Sequence, residues 1–144
     1  MGTKSSIEQL NSFLRGEMAA VETYEMALEK IDEISTARDE LLINLKSHRD
    51  RVMALQEAIV AAGGTPATSS GPWGTFAKAV EGSAKVFGEK AAVAALEEGE
   101  DHGVKDYNED LDDLDPEVRQ LVTTELIPEQ QKTHDRLSEL KRRL

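Results

Sequence analysis

The sequence predicts an all-α fold: an antiparallel four-helix bundle with a crossover loop and a short extra helix between the second and third long helices. Three observations lead there: a helix-forming composition, apolar residues recurring at steps of three and four, and a helix pair in the first half that returns in the second. Ala, Leu, Glu, Lys and Arg dominate the 144 residues, while aromatics amount to one Trp, two Tyr and three Phe. Straight-chain side chains lose little rotamer freedom in a helix, so this balance disfavours a sheet. The length suits one domain with a single shared core, residues 1–144.

The first helix is expected over residues 5–34, where Ile7, Leu10, Leu14, Val21, Tyr24, Leu28 and Ile31 form a bundle seam. Ser5 and Glu8 read as its capping box. That reading is preferred to the myristoylation pattern that Met1-Gly2 through Ser6 also fits. The second helix is expected over 36–62, with Asp39 in its first turn and Leu41, Leu45, Val52, Leu55 and Ile59 on its seam. Gly63-Gly64 stops it. Gly, Pro, Ser and Thr make the following stretch a loop. A short helix over 73–83, with Trp73, Phe76 and Val80 on one face, completes a crossover spanning 63–85. The third helix is expected over 86–111, fraying in the acidic run from Glu109 to Asp115. Asp115-Pro116 starts a fourth, over 116–143, in which Pro128 removes a backbone bond and bends the rod.

The formal charge of −11 repels phosphate backbones and anionic lipid heads, which argues against nucleic-acid and membrane-surface partners. No cysteine is present, so thiol and iron–sulfur chemistry is excluded and any metal must be held by Glu, Asp or His. No apolar run reaches the length of a membrane span and no signal-peptide core follows Met1, so a cytoplasmic protein is expected. Dimerisation through a helix face is compatible with the pattern. Trp73, Phe76 and Val80 are expected to cover one end of the core, and in a protein-interaction module the patch around Trp73 and Phe76 would meet the partner.

The repeat carries most of the functional information. Gly16-Glu17 with Tyr24 and Leu28 returns as Gly99-Glu100 with Tyr107 and Leu111, at identical spacing. Downstream, His48 with Leu55 is matched to His134 with Lys141. Glu17 falls between Leu14 and Val21, His48 between Leu45 and Val52, Glu100 between Leu96 and Tyr107, and His134 between Gln131 and Leu137. Each stands where a seam calls for an apolar residue. An unpartnered buried carboxylate or imidazole costs several kcal/mol, so the four are expected to meet one another or an ion. The glycine before each Glu is expected to allow close helix approach.

Gly-Glu followed by Tyr on two helices, with a His on each of the others, resembles the ferritin-like superfamily and its rubrerythrin branch. Within it, the pattern is similar to small bacterial ferritin-like domains of unknown function. The resemblance implies a metal site with Glu17, His48, Glu100 and His134 as ligands, and Gln131, Tyr24 and Tyr107 around them. A di-iron centre needs two further carboxylates from Glu-x-x-His motifs, yet Leu45 and Gln131 occupy those positions. Glu97 is a poor substitute, on an adjacent face. Two carboxylates balance one divalent ion.

Three function classes follow. The first is a stress-associated protein that sequesters or buffers one divalent metal (iron, zinc or manganese) in its core. The second is a metal-free structural or protein-interaction module with a relic site, and the sequence leaves these two equally open as to cofactor. The third, a di-iron oxidase or peroxidase, is disfavoured by Leu45 and Gln131.

Overall fold

The structure, a computed structural model, describes residues 4–31, 35–71, 78, 82, 88–109 and 111–144. Helices α1 (Lys4–Lys30), α2 (Ala37–Ala61) and α3 (Glu89–Asn108) are followed by α4 (Pro116–Leu121) and α5 (Ile127–Arg143). A π-helical turn, Val122–Leu126, joins α4 to α5 as one rod, and a 3₁₀ turn, Leu111–Asp113, precedes α4. The described residues contain no strand, so four long helical rods make an all-α bundle. The short helix expected over 73–83, and with it the patch at Trp73 and Phe76, lies outside the described residues apart from Lys78 and Gly82. No described helix is long and apolar enough to cross a membrane.

The helix ends follow local chemistry. At the end of α2, Gly63 has φ +90°; its N–H bonds to the Val60 carbonyl, and that of Gly64 to the Ile59 carbonyl at 2.9 Å. This pair of bonds is a Schellman cap, and the positive φ is why glycine stands there. The acidic stretch after α3 is tied down by Arg119, whose guanidinium donates to the carbonyls of Leu111, Asp112 and Leu114 at 2.9, 2.9 and 3.1 Å.

Pro128 does not simply bend the last rod. A proline ring collides with the carbonyl four residues back and brings no N–H. The chain widens just ahead of it, and the Ile127 N–H reaches the Val122 carbonyl five residues back. This inserts one extra residue and rotates everything downstream by about 100°. The inward face then runs Val118, Val122, Leu126, Gln130, Thr133, Leu137 and Leu140, all buried.

Contacts between rods fix their registers. Glu17 meets Arg51 while Leu28 meets Arg38; Arg51 meets Gln130 while Glu40 meets Arg143; Tyr24 meets Glu100 while Tyr107 meets Glu17. Residue numbers rise on one rod as they fall on its neighbour in each pair.

The apolar core is divided. Tyr24, Leu28, Leu41, Leu45, Val93, Leu96, Leu137 and Leu140 fill one end. Leu10, Leu14, Leu55, Ile59, Tyr107, Val118, Val122 and Leu126 fill the other. A polar layer separates them at the waist.

Candidate functional site

Each rod sends polar side chains into that layer at helical spacing. Glu17 comes from α1 and Glu100 from α3; Asn44, His48 and Arg51 come from α2; Gln130 and Thr133 come from α5. The four ionisable groups, Glu17, His48, Arg51 and Glu100, retain only 4%, 2%, 3% and 3% of their surface. At that depth every charge needs a partner.

His48 is the hub. Its Nδ1 lies 2.6 Å from Glu17 Oε2 and its Nε2 2.6 Å from Glu100 Oε1. Ionised carboxylates only accept hydrogen bonds, so both ring nitrogens donate and the ring is an imidazolium. Burial pulls the imidazole toward neutrality, but the charges of Glu100 and Glu17 outweigh it and raise its pKa above the usual value.

Arg51 is the second cation. It donates from Nη1 to Glu17 Oε1 at 3.3 Å and to Gln130 Oε1, and from Nη2 to Thr133 Oγ1 at 3.1 Å. Its Nη2 also stands 3.2 Å from His48 Nε2, a contact between two donors that the flanking carboxylates stabilise. Burial pushes the Glu17 carboxyl up, yet Arg51 and His48 overcome it and hold the pKa at about 2. Glu100 is likewise shifted down: its burial is outweighed by His48 and by hydrogen bonds.

The tyrosines cross over. Tyr24 Oη donates to Glu100 Oε1 and Tyr107 Oη to Glu17 Oε1, both at 2.6 Å. Burial and these anions raise both phenol pKa values well above the usual range, so the hydroxyls stay protonated donors. Gln130 Nε2 and Thr133 Oγ1 donate to Glu100 Oε2 at 2.8 and 2.7 Å. Asn44 Nδ2 donates to Tyr24 Oη and to the Thr133 carbonyl, each at 3.0 Å. Among the described residues, no buried side-chain nitrogen or oxygen lacks a partner.

The structure brings Glu17, His48 and Glu100 together, with Tyr24 and Tyr107 beside them. It does not bring His134. That imidazole sits at the bundle edge, paired with Asp101 and with Asp135 at 3.2 Å. Gln131 is exposed and bonds Asp135 at 2.8 Å. Glu97 pairs with Lys141 at 3.0 Å outside the layer. The seam over Gln131, His134 and Leu137 is therefore corrected: the inward residues before Leu137 are Gln130 and Thr133.

The repeat is corrected with it. Glu17 touches His48 and Arg51, three apart on α2; Glu100 touches Gln130 and Thr133, three apart on α5. His48 thus corresponds to Gln130, Arg51 to Thr133 and Leu55 to Leu137. The matching of His48 with His134 was four residues out of step. Two glycines also trade roles. A Cβ on Gly16 would meet nothing, whereas one on Gly103 would collide with the Gln130 amide, so the close approach falls at Gly103.

This placement separates the two histidines. Removing His134 as His134→Ala should change stability by no more than about 0.5–1 kcal/mol, the worth of an exposed pair. His48→Ala should cost about 3 kcal/mol or more, because it leaves Glu100 buried without its cation and Glu17 with Arg51 alone. Urea titration of the two variants reads the difference directly.

Beside the layer lies a cavity of about 280 Å³ between α1 and α3. Phe13, Gly16, Ala20, Leu96, Gly99 and Gly103 are among its walls, Glu17, His48, Glu100 and Gln130 reach its inner end, and Asp106 and Glu109 also line it. Among the described residues, no group of three or more His, Asp or Glu side chains is arranged to hold a metal ion.

The family of domains of unknown function DUF2383 matches residues 5–113, which includes Glu17, Tyr24, His48, Arg51, Glu100 and Tyr107 but stops short of Gln130 and Thr133. No curated protein and no solved structure matches the chain.

Proposed function

The chain belongs to the DUF2383 family, and on that premise we propose that it is a ferritin-like bundle working as a metal-free structural module, its core charges balanced by one imidazolium and one guanidinium. The registers of the rods support the ferritin-like reading: α1 opposes α2 and α3, and α2 opposes α5. The reciprocal Tyr24–Glu100 and Tyr107–Glu17 bonds supply the internal two-fold relation.

The observation that carries the proposal is Arg51, inserted among Glu17, Gln130 and Thr133. Glu17 and Glu100 supply two negative charges, and His48 and Arg51 supply two positive ones. A divalent ion would compete for the same balance. It would need His48 to lose a proton, free one ring nitrogen from a carboxylate, and leave the Arg51 charge in excess in a buried layer. The residues as placed therefore do not fit a metal, and the single-ion reading requires the network to be rebuilt around it.

Such a layer fixes helix register, as a polar residue on an apolar seam does elsewhere. Tag-free protein should contain much less than one metal per chain by elemental mass spectrometry. Its melting temperature should not move with excess iron, zinc or manganese. One metal per chain that resists chelation and raises the melting temperature would overturn the reading.

A further inference from the structure

We propose that the cavity between α1 and α3 binds a small organic monocation, a primary ammonium on a compact apolar body, with Asp106 as the counter-charge. The proposal goes beyond the metal-free reading and neither stands nor falls with it.

Volume sets the size. A cavity of about 280 Å³ holds about nine waters at roughly 30 Å³ each, so it suits a ligand of about that many non-hydrogen atoms. Its walls set the body. Phe13, Leu96, Ala19 and Ala20 offer apolar surface, and Gly16 leaves open space where a side chain would stand. This is the usual make-up of a ligand pocket: mostly apolar, with few polar groups.

Charge sets the head group. The carboxylates at the inner end are already engaged, Glu17 by His48, Arg51 and Tyr107, and Glu100 by His48, Tyr24, Gln130 and Thr133. Paired with His48 and Arg51, they leave the inner end without net charge and offer little to a second donor. Asp106 differs. It is half-buried, lines the cavity and forms no hydrogen bond or ion pair with the described residues. Burial raises its carboxyl pKa, with Glu109 adding to the effect and His102 and Lys105 opposing it. An ammonium placed beside it relieves that penalty. Glu109 also lines the cavity, but it is ion-paired with Lys105 at 3.8 Å, and His102 is the one further titratable group there among the described residues.

Benzylamine, benzyl alcohol and benzoate share a ring and differ in charge, so they serve as probes. Amide NMR titrations would use the wild type, Asp106→Asn and Ala20→Leu. Benzylamine is expected to shift the Gly16, Ala20, Gly99 and Gly103 resonances and to bind about fivefold or more tightly than benzyl alcohol, with benzoate weakest. Asp106→Asn should reduce benzylamine to the level of the alcohol. Ala20→Leu, which fills the cavity, should abolish the shifts from both while the rest of the spectrum is kept. Equal binding of amine and alcohol, an amine affinity untouched by Asp106→Asn, or no shifts at millimolar benzylamine would each overturn the proposal. None of these results bears on metal content, which elemental analysis reads separately.

Discussion

Replacing Arg51 with alanine is expected to destabilise the bundle by about 3–5 kcal/mol, the usual result of removing one partner from a buried ion pair. The guanidinium bridges three rods, since Glu17 lies on α1 and both Gln130 and Thr133 lie on α5. Its loss leaves Glu17 with one cation instead of two and strips Gln130 Oε1 of its donor. Against a total stability of about 5–15 kcal/mol, that is a large fraction. Arg51→Lys should rescue little, because a point charge cannot fork to three acceptors. The double variant Arg51→Ala/Glu17→Gln should be less destabilised than the sum of its parts, as removing both charges avoids a stranded anion. Urea unfolding of the wild type, Arg51→Ala, Glu17→Gln and the double variant measures this coupling. Strict additivity would mean that the two residues do not form a pair.

Stability should pass through a maximum between about pH 5 and 6.5. On the acid side, Glu17 has an ordinary pKa of 4.5 and a folded value of about 2. Its contribution is therefore present above 4.5 and is lost as pH falls toward 2, on the order of 3 kcal/mol by linkage. Glu100 moves in the same direction. On the alkaline side, the folded pKa of His48 lies above its ordinary 6.5. Its contribution is complete below 6.5 and is lost as pH rises through the folded value. Exposed pairs such as Lys46–Asp50 add little to either limb. Denaturant midpoints taken from pH 3 to pH 9 should trace this dome, and His48→Gln should flatten its alkaline limb. A wild-type profile flat across that range would contradict the ionised network.

Much of this layer is legible in the sequence alone. Glu17 with Tyr24 and Glu100 with Tyr107 repeat at one spacing, and charged residues on an apolar seam announce a buried site. His48 was legible for the same reason. Arg51 was not, because an arginine in a helix is ordinarily a surface residue and the adjacent Val52 supplied a satisfactory apolar seam. The available signal was the step Leu41, Asn44, His48, Arg51, Leu55, which alternates three and four as well as Leu41, Leu45, Val52, Leu55 does. On the last rod, the π turn before Pro128 broke the count. Leu137 can be reached from Thr133 by a step of four or from His134 by three, so local spacing fits either residue. The run Leu126, Gln130, Thr133, Leu137, Leu140 would have decided for Thr133. Glycine roles were the least legible, since whether Gly16 or Gly103 faces a neighbour depends on helix approach and not on local pattern.

The protonation of His48 tests the central claim most directly, because the same ring cannot be both an imidazolium between two carboxylates and a metal ligand. Nitrogen NMR of histidine-labelled protein at pH 6, below the raised pKa, should show both His48 nitrogens protonated, with protons in strong hydrogen bonds to Glu17 and Glu100, and no change on adding iron, zinc or manganese. A ring with one bare nitrogen, or one whose signals shift or broaden stoichiometrically with added metal, would contradict the account and return the core to metal chemistry.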